Sequence, residues 1–230
     1  AARRRLAGAT APETIDLHVT LDGERLRLQA RRQDLTISGE FPVATFAAED
    51  ERIQQLFLAG KKAVEEEGGY GGGSKSAAIR DKLYSLVEKP RRKLEEIYDF
   101  RQLHFQFGPG SLSFLRVHRP AKYGDRMDDI RHTIVAVNKD HQPVSGFETG
   151  RVYSGIRGVV PVYAEDKSQG KRVYVGALEA GTAFQTTLDV VAKSQKAELA
   201  VILGLEHLRP RVWPEFLKKI LQDHPPIHGL

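Results

Sequence analysis

The chain has 230 residues, 40% of them hydrophobic and 28% charged, with a formal net charge of +5 and no cysteine. That length supports one generous domain or two small ones around a filled core, and the missing thiols exclude disulfide scaffolds, thiol catalysis and cysteine-ligated zinc or iron–sulfur sites. The basic balance does not mark a nucleic-acid reader, because acidic residues break up the basic runs: Glu88, Glu95 and Glu96 surround the basic stretch 89–93.

The chain opens on Ala1, followed by the basic run Arg3-Arg4-Arg5, which reads as solvated surface or as a segment close to anionic lipid. No window reaches the roughly 20 apolar residues of a membrane span and no signal peptide is present, so the piece is expected to be soluble and cut from a longer parent. Over 13–37 two patterns compete. Ile15, Leu17, Val19 and Leu21 alternate, as do Leu26, Leu28 and Ala30 after Asp22-Gly23, which predicts a hairpin. Leu21, Leu28 and Leu35 recur at seven, which suits a helix. Residues 47–67 read as a helix on Ile53, Leu56, Phe57 and Val64. A second helix follows at 75–99, interrupted at Pro90.

The pattern then turns to strands, at 103–107, 112–118, 144–151, 156–164 and 172–184, with one helix at 125–137 between them. Helical spacing returns at 186–205, and a short amphipathic stretch lies at 215–221. Helices followed by antiparallel strands define an α+β fold. The expected organisation is one module: an N-terminal helical part at 1–100, a sheet with a ligand pocket at 101–185, and a C-terminal helical segment at 186–230.

Most candidate chemistry fails on spacing. The cluster Gly71-Gly72-Gly73-Ser74-Lys75-Ser76 lacks the P-loop order GxxxxGK[ST] and reads as a flexible helix–helix connection. The eight histidines form no HExxH pair, and no metal site or other cofactor is expected. No Ser/His/Asp order stands out. Glu148 and Glu179, on separate strands, could be paired acids of a small hydrolase, a reading weakened by the absence of a sugar-binding aromatic framework. One strand is more informative. Alternation along 111–118 puts Leu112, Phe114, Arg116 and His118 on one face. A covered guanidinium there needs an anion. Arg116 is therefore expected either to pair with Glu148, Glu179 or Asp128, or to fork onto a small carboxylate ligand beside His118 and a tyrosine. Tyr123, Tyr153 and Arg131 border this strand.

The stretches LHFQFGPGSLSFLRVHRPAKYGDRMDD, PVSGFETGRVYSGIRGVVPVY and VYVGALEAGTAF resemble, in order and spacing, the Cache family of PAS-like sensor domains. The resemblance covers about eighty residues. It implies a five- or six-stranded antiparallel sheet with long helices on one side, and a pocket between the sheet and the segment at 120–137. It implies no enzyme activity, but the periplasmic sensor domain of an inner-membrane chemotaxis receptor, dimeric through its N-terminal helices. The ligand would be acetate, propionate, pyruvate or a similar acid. A histidine kinase or diguanylate cyclase is the alternative output. The matched phrase carries Phe114, Arg116, His118 and Tyr123 as ligand-binding residues, the resemblance extends to Arg131 on the following helix, and the reading of the residues adds Tyr153. The family's long N-terminal helix moves the expectation for 13–37 from hairpin towards helix.

Overall fold

The computed structural model describes residues 14–21, 24–31, 40–152, 154–196 and 203–223. Contacts divide the chain into two units, residues 1–37 with 188–202 and residues 38–187 with 203–230. In the first unit β1 (Thr14–Leu21) and β2 (Glu24–Arg31) pair antiparallel. The expectation of a helix over 13–37 is therefore corrected. The period-two alternation decides it, with Leu17 opposite Leu28 and Val19 opposite Leu26 in one register.

In the second unit, the first predicted helix, 47–67, is α2 (Glu51–Glu66), and a helix not expected from the sequence, α1 (Glu40–Ala48), precedes it. Asp50 divides them: it is extended, and its carboxylate accepts the Arg52 and Ile53 N–H groups at 2.9 and 3.4 Å. α3 (Ser74–Tyr98) runs through Pro90, which lies on the exposed face where water can take the carbonyl that loses its N–H partner. The glycine connection is an ordered cap. Glu67 turns back onto the start of α3 and accepts the N–H groups of Gly73, Lys75 and Ser76 at 2.7, 2.8 and 2.9 Å. Those backbone bonds hold the Glu67 carboxyl down at about 2. A negative side chain of the chain itself thus fills the cradle that sequence likened to a phosphate loop.

Five strands form one antiparallel sheet in the order β4-β3-β7-β6-β5, built from β3 (Phe100–Phe107), β4 (Leu112–Arg116), β5 (Val144–Thr149), β6 (Ser154–Asp166) and β7 (Lys171–Ala183). α4 (His132–Asp140) lies between β4 and β5 in sequence, and α5 (Phe184–Gln195), α6 (Leu205–Leu208) and α7 (Pro214–Asp223) follow the sheet. Cross-strand partners share a face. The row Phe105, Leu178, Val160 faces α1–α3 and joins Phe57, Leu83, Phe107 and Phe114 in the main core. Phe57 stacks on Phe107 with centroids 4.8 Å apart and meets Phe105 edge-on at 5.2 Å.

The opposite face carries three parallel rows. One reads Arg116, His104, Glu179, Val159, Val144; the next Ser113, Gln106, Ala177, Pro161; the third Gln102, Gly181, Arg157, Gly146. α4 covers this face, packing Ile134 and Val137 on Val159, Ala177 and Val144. The single face expected for Leu112, Phe114, Arg116 and His118 does not exist. The ladder between β3 and β4 shifts between Phe105 and Gln106, leaving Phe114 as an extra residue on β4. Across that bulge the alternation changes phase. Leu112, Phe114 and Leu115 go to the helix-side core, while Ser113 and Arg116 go to the other face, and the strand ends at Arg116 before His118 is reached.

Candidate functional site

The sheet face under α4 gathers most of the buried charge among the described residues. Glu179 of β7 is fully buried, as is His104 of β3, and Arg157 of β6 is 1% exposed. Glu148 of β5 and Arg131, at the mouth of α4, are 7% and 6% exposed. Arg131 Nη1 stands 3.5 Å from both Glu148 Oε2 and Glu179 Oε1, and Arg157 Nε is 3.4 Å from Glu179 Oε1. His104 bridges the opposite side, with Nδ1 3.5 Å from Glu179 Oε2 and Nε2 2.8 Å from Ser113 Oγ. Two cations and two anions thus balance in one buried cluster.

Local sequence explains why α4 starts here. Arg131 occupies the N-cap position with a non-helical backbone and makes no side-chain cap. Glu148 reaches over from β5 instead, and its Oε1 accepts the Thr133 N–H at 2.8 Å. The carboxylate closes the positive end of the helix, a favourable place for it. At the other end Asn138 donates to Gly110 O at 2.6 Å and accepts from Tyr174 O–H at 2.6 Å, so both ends of α4 are tied down. Sequence placed this helix at 125–137, with Arg131 inside it. The structure makes Arg131 the residue before the helix, which frees its side chain to point at the sheet.

The cluster is satisfied in charge but not in hydrogen bonds. Among the described residues, Arg131 Nε and Nη1, Glu148 Oε2, Glu179 Oε1, Gln106 Oε1, Thr133 Oγ1 and His118 Nδ1 are buried without a hydrogen-bond partner. Ion pairs of 3.4–3.5 Å lie beyond the short N–H···O range that a settled buried pair adopts. Such groups are rare in finished cores and mark places where a further polar species belongs. Burial pushes Glu179 up, yet Arg131, His104 and Arg157 together hold it well below the usual carboxylate range. Burial outweighs the neighbouring carboxylate at His104, pulled down to about 4, and takes His118 to about 3. Both rings are neutral near pH 7.

The sequence-derived site residues separate into groups. His118 and Arg131 join the cluster, with the His118 ring 6.3 Å from that of His104. Arg116 shares the face, but its fork already holds Asp125 at 2.7 and 2.8 Å and reaches Lys122 O. The ion-pair alternative thus describes this arginine, with Asp125 rather than Glu148, Glu179 or Asp128 as partner. Phe114 sits in the helix-side core, its ring against Gly60 of α2. Tyr123 is 43% exposed and lies flat on the Arg80 guanidinium at 3.6 Å. Arg80 in turn binds Phe114 O and Gly71 O, which makes it a structural clamp. Tyr153 lies outside the described residues. Sequence reasoning missed His104, Gln106, Thr133 and Arg157 as site residues; one available signal was the row of polar residues opposite an unbroken apolar row on β3.

A groove of about 380 Å³ opens between Thr45 and Ala48 of α1, the following Glu49, and Pro161 and Tyr163 of β6. It is a wide, solvent-open surface feature with only Glu49 and Arg172 for charge, and lacks the convergent buried polar groups of a specific ligand site. Among the described residues no group of His, Asp and Glu is arranged to hold a metal ion, and no helix is long and apolar enough to cross a membrane.

A five-stranded antiparallel sheet, helices on one face and a buried charged site under a short helix on the other, is the architecture of a PAS-like sensing module. A family model described as a double sensory domain of two-component sensor kinases matches residues 73–210, more than half of the chain. The chain belongs to this double Cache family and is an extracytoplasmic sensor domain. Among the described residues one five-stranded sheet of this kind is present. The chain is also similar, at low identity, to solved structures. An extracellular ligand-binding receptor from Desulfohalobium retbaense is 16% identical, with a TM-score of 0.36, over 75% of this chain and 29% of that one. The sensory domain of the Campylobacter jejuni chemoreceptor Tlp3 with isoleucine bound is 12% identical, with a TM-score of 0.34, over 66% and 67%. The Tlp3 domain in complex with 4-methylisoleucine is 13% identical, with a TM-score of 0.34, over 81% and 76%. The chain thus spans less than a third of the length of the first of these. No curated protein sequence matches it.

Proposed function

We propose that the chain is the periplasmic ligand-binding domain of a membrane-anchored, homodimeric receptor, and that its ligand is a small carboxylate held at Arg131. The observation that carries this reading is the orphaned pair of donors on Arg131, Nε and Nη1, buried beside the N-terminus of α4. Unused N–H groups on a buried guanidinium are complementary to a carboxylate, which accepts charge-assisted hydrogen bonds from them. His118, Thr133 and Gln106 offer the remaining polar contacts.

The charge count narrows the class. A simple acid such as acetate, propionate or pyruvate would add one negative charge to a balanced, buried cluster, which is costly. A ligand with an ammonium group next to its carboxylate adds none, and the ammonium meets the unused acceptors Glu148 Oε2 and Glu179 Oε1. A compact α-amino acid satisfies both halves. Glu179 argues against the hydrolase alternative, because a general acid needs a carboxyl group that stays protonated near neutrality, and the arginines keep Glu179 ionised.

Thermal-shift measurements with acetate, propionate and pyruvate beside glycine, alanine and leucine test the assignment through binding linkage. At least one amino acid raises the melting temperature more than its deaminated counterpart, and Arg131→Lys abolishes the shift. A response confined to the simple acids overturns the ammonium, and no response to any of them overturns the carboxylate. For the output, the family's description favours a sensor kinase over a chemotaxis receptor.

A further inference from the structure

Glycine inside a strand weakens it and contributes no side chain, so each one calls for a reason. In this sheet the reasons are mostly visible. A Cβ on Gly155 would meet Thr182 O at 2.2 Å, and one on Gly176 would meet Gln106 O at 2.3 Å. A Cβ on Gly181 would meet Arg157 Nη1 at 2.3 Å, because the Arg157 guanidinium lies across Gly181 on its way to Gln102 in the same row. Gly146 is different. It is the neighbour of Arg157 on the other side of that row, and a Cβ there would find only Thr133 Cγ2, at 4.0 Å. Its backbone does not need glycine either, since φ is not positive.

Two of the residues with unsatisfied groups, Thr133 and Glu148, lie beside Gly146. Thr133, whose hydroxyl has no hydrogen-bond partner, stands over it; Glu148 is two residues further along the same face of β5, and Glu148 carries the cap of α4 and the ion pair with Arg131. Gly146 itself is half-buried, on the edge strand of the sheet.

We infer that Gly146 is a specificity-determining residue: the carbon skeleton of the ligand enters at the β5 edge and lies over Gly146, with its carboxylate on Arg131. This rests on the carboxylate-binding reading above. The absent side chain at 146 sets how large a ligand can be while its charged end still reaches Arg131, and Thr133 borders the same space.

The test is isothermal titration of the wild-type domain and of Gly146→Ala and Gly146→Val with two series of growing size, glycine, alanine and leucine, and acetate, propionate and 4-methylpentanoate. Valine suits a strand, so the variant folds, which its melting temperature verifies. The expected result is graded. Gly146→Val weakens the largest ligand that the wild type binds by about tenfold or more, keeps the smallest within about threefold, and Gly146→Ala falls between. A folded Gly146→Val that binds every ligand as the wild type does, or that loses small and large ligands equally, overturns the assignment of Gly146 and leaves the carboxylate reading standing. A wild type that binds neither series overturns both.

Discussion

Arg116 and Arg131 carry the same charge on the same side of the sheet, yet their surroundings give them opposite duties. The Arg116 fork is saturated by Asp125 and Lys122 O, and Asp125 is half exposed. Truncation there leaves the aspartate free to find water. Arg131 stands between two carboxylates that have no access to water and no other complete set of donors. Arg131→Ala is therefore expected to destabilise the fold by about 3–5 kcal/mol, the range for breaking one side of a buried ion pair. Arg116→Ala should cost about 1 kcal/mol and leave ligand affinity unchanged. Urea unfolding of both variants, with titration of whichever ligand the wild type binds, separates the two. Equal losses of stability, or a loss of affinity in Arg116→Ala, would reverse the assignment of their roles.

At the scale of elements, the bulge on β4 decides how the sheet meets its helices. With Phe114 inserted, two successive residues, Phe114 and Leu115, both enter the helix-side core, and Phe114 presses on the one position of α2 that lacks a side chain. A Cβ on Gly60 would come within 2.4 Å of Phe114 Cζ. Alanine is the better helix former, so on propensity alone Gly60→Ala would stabilise α2. Packing predicts the reverse, a loss of about 1–3 kcal/mol from overpacking, and the double variant Gly60→Ala/Phe114→Leu should recover part of it. Denaturant unfolding of the single and double variants reads this directly; a more stable Gly60→Ala would mean that β4 moves freely and that the bulge is not held by α2.

For the whole molecule, the buried cluster makes folding sensitive to acid. In the unfolded chain histidine takes up a proton below about 6.5. In the folded protein His118 and His104 resist protonation down to about 3 and 4. The unfolded state therefore binds more protons than the folded state throughout that window, and stability falls as the pH drops from 6.5 towards 4. Each histidine removes at most about 2 kcal/mol between pH 7.5 and pH 5. Glu179, held below its ordinary range, works in the same direction, since its contribution is present above about 4.5 and lost below it. Unfolding at pH 7.5 and pH 5 should show the loss, and His118→Gln should reduce it. A stability unchanged between the two values would mean that the rings are protonated in the folded cluster.

Sequence by itself determined the class of fold, the existence and order of all five strands of the sheet, and the family, because period-two alternation and the ordered phrases between 103 and 184 are local properties of the chain. Alternation was also the right guide at 14–31, where the hairpin prevailed over three leucines that happen to recur at seven. It picked out Arg116 as a charge needing explanation, with His118 on the same face, and the resemblance added Arg131. Only the tertiary structure decided which of them does what. One extra residue at Phe114 inverts the facing of everything after it, and nothing in the alternation of 111–118 announces that insertion. The ion pairs join residues far apart in sequence, Arg131 with Glu148 and Glu179, Arg157 with Glu179. Whether an arginine serves the fold or a ligand depends on the partner already in its reach, and that is fixed by strand order and helix position.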